Sequence, residues 1–170
     1  MSEAVRATVD AALHAADVAA KWAIVAAMAA MVAVVSTQVG LRYLFNSSIG
    51  WADEVSRLAF VWSIFLAIPV GVRMKAHIGI DLLVNLLPAS LRSLLARGVA
   101  LASAGIMALV GWQSYVLASD QWDEKMASLE FSASWFVVAV CVGAVHSCAH
   151  LLRLAAFGPW ASESALLATE

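Results

Sequence analysis

Hydrophobic residues fall in four long runs, Trp22 to Leu41, Val55 to Val72, Gly98 to Ala118 and Ser134 to Phe157, divided by shorter polar stretches. Each run has about the 17 to 25 residues that a helix needs to cross the hydrocarbon core of a bilayer. The pattern predicts an all-α integral membrane protein with four transmembrane helices. The connection between the second and third runs departs from it. It opens Arg-Met-Lys-Ala-His-Ile-Gly-Ile-Asp81, continues through apolar Leu82 to Leu87, and restarts at Pro88. Leu82 to Leu87 is too short to span, so an interfacial amphipathic segment is expected there, with Pro88 opening the next helix where its missing N–H is tolerated.

Ahead of the first run, Val5, Val9, Leu13 and Ala16 recur at helical spacing. Residues 1–21 are therefore expected to form a cytoplasmic or interfacial helix leading into a membrane domain at 22–157. Glu3, Asp10 and Asp17 interrupt the basic and apolar regions of a cleavable signal. Gly158-Pro159 reads as a helix stop, with a disordered tail at 158–170. Small residues suggest the packing faces, since close approach rather than hydrophobicity drives helix association in lipid. The candidate stripes are Ala26, Ala30, Ala33 and Thr37 in the first helix and Gly98, Ala102 and Gly105 in the third. In the fourth they are Ala139, Gly143 and Ser147. Pro69 removes the hydrogen bond to the Phe65 carbonyl and is expected to bend the end of the second helix.

Composition agrees: 63% of the 170 residues are hydrophobic and 13% charged, with a mean hydropathy of +0.87, against about 25% charged in soluble domains. A net charge of -2 without a clustered basic patch argues against nucleic acid as a partner. Cys141 and Cys148 are two helical turns apart in one run and cannot bridge each other. The basic residues set the expected orientation. Arg6, Lys21, Arg73, Lys75, Arg92, Arg97 and Arg153 fall on one side and only Arg42, Arg57 and Lys125 on the other, which places both termini in the cytoplasm. Asp53, Glu54, Asp120, Asp123, Glu124 and Glu130 then lie outside. Trp22, Trp51, Trp122, Trp135 and Trp160 fall near the expected interfaces, as an aromatic belt requires.

Chemistry-bearing residues gather in three places. The turn from Arg42 to Arg57 joins aromatic residues to an acid-acid-base cluster. With Gly50 as the N-cap, Asp53 and Glu54 occupy the first turn of the second helix, facing the positive end of its dipole, and Arg57 lies at pairing distance from both. This cluster reads either as helix capping or as a docking surface. His77 and Asp81, four apart, read as a hydrogen-bonded anchor of the interfacial segment. His146 and His150, four apart in the last helix, would be metal or haem ligands only with a partner from another helix. No other transmembrane histidine exists, so packing is the expected role. None of the twelve acids lies within a predicted span, and nucleophile elbow, phosphate loop and HExxH helix are all missing. No catalytic residue, cofactor or metal is expected. The chain looks built to hold something else.

Arg42-Tyr43, Phe45-Asn46, Trp51-Ala-Asp-Glu54 with Arg57, Phe60-Val-Trp62 and His77-Ile-Gly-Ile-Asp81 together resemble the small membrane subunit of tripartite ATP-independent periplasmic (TRAP) transporters, the DctQ-like family. The resemblance covers about Trp22 to Phe157. Asp53-Glu54 stands where the family often has two glutamates, and the fourth helix lacks a proline near Cys141. The resemblance implies a scaffold in the bacterial inner membrane, not an enzyme. Its partners would be the lipid bilayer, a large M-type membrane subunit and a periplasmic solute-binding protein that captures a small organic anion such as a carboxylate, with sodium-coupled uptake through the large subunit. Arg42, Asn46, Trp51, Asp53, Glu54, Arg57, His77 and Asp81 are its motif positions. A cytochrome b-like anchor using His146 or His150 is the alternative.

Overall fold

A computed structural model describes residues 3–73 and 89–158, apart from the side chains at 89, 90, 92 and 93. The expected interfacial segment with His77 and Asp81, the expected helix start at Pro88, and the C-terminal tail beyond Gly158 lie outside the described residues. The helices are α1 (Glu3–Phe45), α2 (Ala52–Arg73), α3 (Ala89–Asp120) and α4 (Trp135–Phe157). All four are long and apolar enough to cross a membrane. Gly158 ends α4 with φ 75° and donates its N–H to the Leu154 carbonyl, a left-handed stop that glycine adopts without a Cβ penalty.

α1 is one unbroken helix of 43 residues. At about 1.5 Å per residue it is roughly twice as long as a bilayer core of about 30 Å. The N-terminal segment read separately in the sequence and the first predicted span are thus parts of the same rod. Its inward face consists of Leu13, Asp17, Ala20, Ile24, Ala27, Met31, Val34, Gln38 and Leu41, all buried or half-buried. The alternating steps of four and three residues are the 3.5-residue repeat of left-handed helix pairing. Ala26, Ala30, Ala33 and Thr37 are exposed instead. In a helix this rich in alanine, small residues occur on every side, so small size does not mark the contact face. α3 behaves alike. Ala100, Ala104, Met107, Gly111, Ser114 and Ala118 turn inward, whereas a Cβ added at Gly98 or Gly105 would meet nothing within 4 Å. Only in α4 is the expected stripe of Ala139, Gly143 and Ser147 the buried one.

The helices form an open row in the order α1, α2, α4, α3. α2 packs between α1 and α4, α4 packs between α2 and α3, and α1 touches α4 only lightly. The turn from Asn46 to Trp51 lies at one end of the row, hereafter the turn end. The start of α1 and the end of α4 share the other, the N-terminal end. At the α3–α4 seam Cys148 and Cys141 donate weakly to the carbonyls of Ala104 and Gly111, each at 3.5 Å.

The α2–α4 seam depends on one pair. Pro69 has no N–H for the Phe65 carbonyl, and Gly143 of α4 packs directly on that carbonyl, so closely that a Cβ at Gly143 would collide with it. The proline frees a carbonyl and the glycine lets a neighbouring backbone cover it. Because the obstacle is backbone, the neighbour cannot rotate away. Gly143→Ala is expected to lower stability in detergent by about 1–3 kcal/mol, as overpacking does. Gly98→Ala or Gly105→Ala, both in open helix positions, should be neutral or stabilising by up to about 1 kcal/mol. Thermal unfolding of the three variants measures the difference.

A polar turn at one end and a buried carboxylate at the other

At the turn end, α1 stops because Asn46 takes a left-handed conformation (φ 49°), one that asparagine tolerates better than other non-glycine residues. The Ser47 N–H then reaches back to the Leu41 carbonyl at 3.3 Å. The Ala52 N–H donates to Ile49 and the Val55 N–H to the carbonyl of Trp51, so α2 begins at Ala52, and the cap falls at Trp51 rather than at Gly50. Asp53 and Glu54 are in the first turn as expected. Arg42, Asn46 and Asp53 line a polar cleft of about 420 Å³ between the ends of α1 and α2, with Gln38 and Ser47 to Gly50. Trp51 is partly exposed beside it.

Glu54 does not pair with Arg57. Its carboxylate crosses to the α3–α4 loop and accepts the Ala127 N–H at 2.7 Å, the Ser128 N–H at 3.0 Å and the Ser128 hydroxyl at 2.6 Å. That loop is a small hairpin around the Lys125–Ser132 bridge, closed by Met126 N–H to Phe131 O and Ala133 N–H to Glu124 O. Three hydrogen bonds to one carboxylate thus fix Glu54 on the loop. Among the described residues, Asp53 and Arg57 form no ion pair, so the predicted acid-base pairing is replaced by a loop anchor. Trp135 packs at a tilt against Trp62 and Trp122 with ring centroids 6.4 and 6.2 Å apart, joining the same loop to α2 and α4.

The N-terminal end holds a network that sequence reading missed. Asp17 of α1 is 1% exposed. Its Oδ2 pairs with Arg73 of α2, and its Oδ1 faces His150 Nε2 at 2.8 Å and His146 Nε2 at 3.1 Å, both on α4. Further out along the same two helices, Arg153 of α4, also buried, grips Asp10 through Nε and Nη2 at 2.8 and 3.1 Å and donates to the Gly158 carbonyl. Arg6 approaches Asp10 at 3.8 Å and His14 approaches Arg73 at 3.4 Å. The histidine pair therefore has the cross-helix partner that seemed to be missing, and it is an acid. A signal was present. Asp17 occupies the 13, 17, 20, 24 stripe that continues as the buried face of α1, and a charge on such a stripe calls for a partner. The two Nε2 atoms are 3.2 Å apart, too close to admit a porphyrin between them, so the geometry does not favour haem ligation.

A family profile described as "Tripartite ATP-independent periplasmic transporters, DctQ component" matches residues 31–160. The chain belongs to the DctQ family. It is 41% identical over 78 residues to the C4-dicarboxylate TRAP transporter small permease protein DctQ of Vibrio cholerae, covering 44% of this chain but only 33% of that protein. With the sialic acid TRAP transporter small permease protein SiaQ of the same species it shares 28% identity over 121 residues, 69% of this chain and 68% of the other. It is also 37% identical over 59 residues, 35% of this chain, to the sialic acid TRAP transporter permease protein SiaT of Haemophilus influenzae, of which the match covers 10%. DctQ proteins are transporter components and not enzymes, and this one is a multi-pass inner-membrane protein.

Two losses are expected from this geometry. Asp17→Ala removes the buried acceptor shared by Arg73, His146 and His150 and should destabilise the protein by about 1–3 kcal/mol, read by thermal unfolding in detergent. Glu54→Ala should leave the helices intact but speed hydrogen exchange at the Ala127 and Ser128 amides, whereas Arg57→Ala should leave those amides unchanged.

Proposed function

We propose that this chain is the scaffold subunit of a TRAP uptake system. It packs against a large M-type membrane subunit and presents the turn end to a periplasmic solute-binding protein that delivers a small organic anion, such as a carboxylate, for sodium-coupled import. Both termini are cytoplasmic in this reading, following the excess of basic residues at the N-terminal end. The observation that carries it is the open row of helices joined to the DctQ match. Among the described residues the Asp, Glu, Lys and Arg side chains of the helices lie toward the two ends of a single layer, which offers broad apolar flanks to a partner and no charged midplane path for a solute. The SiaT match supports a large partner, because small-permease sequence recurs there within a far longer permease protein. The names of the relatives support an organic anion as cargo.

Co-expression with a large TRAP subunit should give a stable complex, and uptake into liposomes with the binding protein should need both membrane chains. Full-rate uptake without this chain would overturn the reading. Docking is tested best at Asp53, which lies on the cleft rim and carries no ion pair or hydrogen bond among the described residues. Asp53→Lys should weaken binding-protein-dependent uptake with no loss of complex yield, while Glu54→Lys also releases the α3–α4 loop. Unchanged uptake in Asp53→Lys would leave Asp53 with helix capping alone.

A further inference from the structure

The buried cluster at the N-terminal end brings together three donors from two helices. His146 and His150 stand four residues apart on one face of α4, the spacing by which a helix offers two imidazoles to one ion. Asp17 Oδ1 completes a triangle with their Nε2 atoms whose sides are 2.8, 3.1 and 3.2 Å. An ion held about 2.0–2.1 Å from all three donors would stand roughly 1 Å outside that plane, given these separations. These separations suit a three-ligand site. The ligand atoms lie within 4.8 Å of one another, with Asp17 and His150 buried and His146 half-buried at the rim.

Arg73 holds the other carboxylate oxygen, which fixes the carboxylate with Oδ1 turned to the imidazoles. It also cancels most of the charge of Asp17, while the Asp10–Arg153 pair nearby is itself close to neutral. His14 stands on the far side of Arg73. With few oxygen donors among the described residues, the cluster offers little to calcium or magnesium, which require several. Nitrogen donors favour metals of the zinc type.

We propose that Asp17, His146 and His150 form a binding site for a divalent transition-metal ion of the zinc class, one that ties the N-terminal turns of α1 to the last turns of α4. No redox step is involved. The site is independent of the transport reading, since it depends only on residues within this chain.

The test uses the purified full chain in detergent, stripped with a chelator and titrated with Co²⁺, then Zn²⁺. The expected result is one saturable equivalent per chain, d–d absorption bands of a four- or five-coordinate cobalt site, displacement by Zn²⁺, and a rise in Tm with metal. His146→Gln, at the rim, should weaken binding at least about tenfold, while His14→Gln should bind as the unaltered chain does. His146→Cys should retain binding and add a sulfur-to-cobalt charge-transfer band, which a purely structural histidine would not yield. A folded, helical wild-type chain with no saturable cobalt signal would overturn the proposal in favour of a hydrogen-bonded triad. So would equal affinity in His146→Gln and the unaltered chain, or tight binding by His146→Cys without the charge-transfer band.

Discussion

A carboxylate taken out of water has to keep its partners, and Asp17 has all of its partners on other helices. Arg73 comes from α2 and the two imidazoles from α4. Loss of Arg73 would take from the buried Asp17 carboxylate its cationic partner in a poorly solvating environment, at a cost of several kcal/mol. The pairing therefore fixes the axial register of three helices at once. Packing of small side chains alone would not, because alanine stripes slide past one another at little cost. Asp10 with Arg153 repeats the constraint further out. Glu54 applies it at the opposite end, where it binds α2 to the loop between α3 and α4. Register is thus set by polar contacts at the two ends, and the apolar middle follows it.

The middle is free to be thin because the ends are fixed. Small side chains line the α3–α4 seam, and at the α2–α4 seam Gly143 lies on the carbonyl that Pro69 leaves without a helical donor. In hydrocarbon an exposed carbonyl is costly, and coverage by a neighbouring helix meets that need. The order α1, α2, α4, α3 leaves the outer helices with one main neighbour each. A row so open has flanks to be occupied by lipid or by another membrane chain, which is the form a holding subunit needs.

Element existence was legible in the sequence because hydrophobic run length is a strong signal in lipid: the four runs became four helices, with the ends of α2 and α4 shifted by three residues or fewer and α3 beginning nine residues early, at Ala89. α1 was extended further because its N-terminal turns follow the same 3.5-residue face and no breaking residue separates them from the span. Face assignment failed for α1 and α3, where small residues surround the helix and the buried stripe is marked instead by Met31, Leu41, Met107 and Asp17. The motif around Arg42 to Arg57 was legible as a landmark but not as geometry. Spacing along one helix suggested a Glu54–Arg57 pair, whereas the decisive partner of Glu54 is more than seventy residues away in a loop. Asp17 was passed over for the same reason. Its partners are distant in sequence, and composition gives no sign that the start of α1 lies against the end of α4.

The structure also divides the turn into two kinds of position. Asn46 and Glu54 are accounted for within the chain: the first stops α1 with a left-handed backbone, and the second anchors a hairpin through three accepted hydrogen bonds. Neither needs an external partner to explain its residue type. Arg42 and Asp53 are different. Both line the polar cleft, and no ion pair or hydrogen bond between described residues engages either. Solvated charges held on helix ends guide encounter and set orientation rather than add much affinity, which is the contact that the proposed docking of a soluble partner calls for. The acidic pair once read as a unit therefore divides: Glu54 ties α2 to the α3–α4 loop, and Asp53 is exposed on the cleft rim.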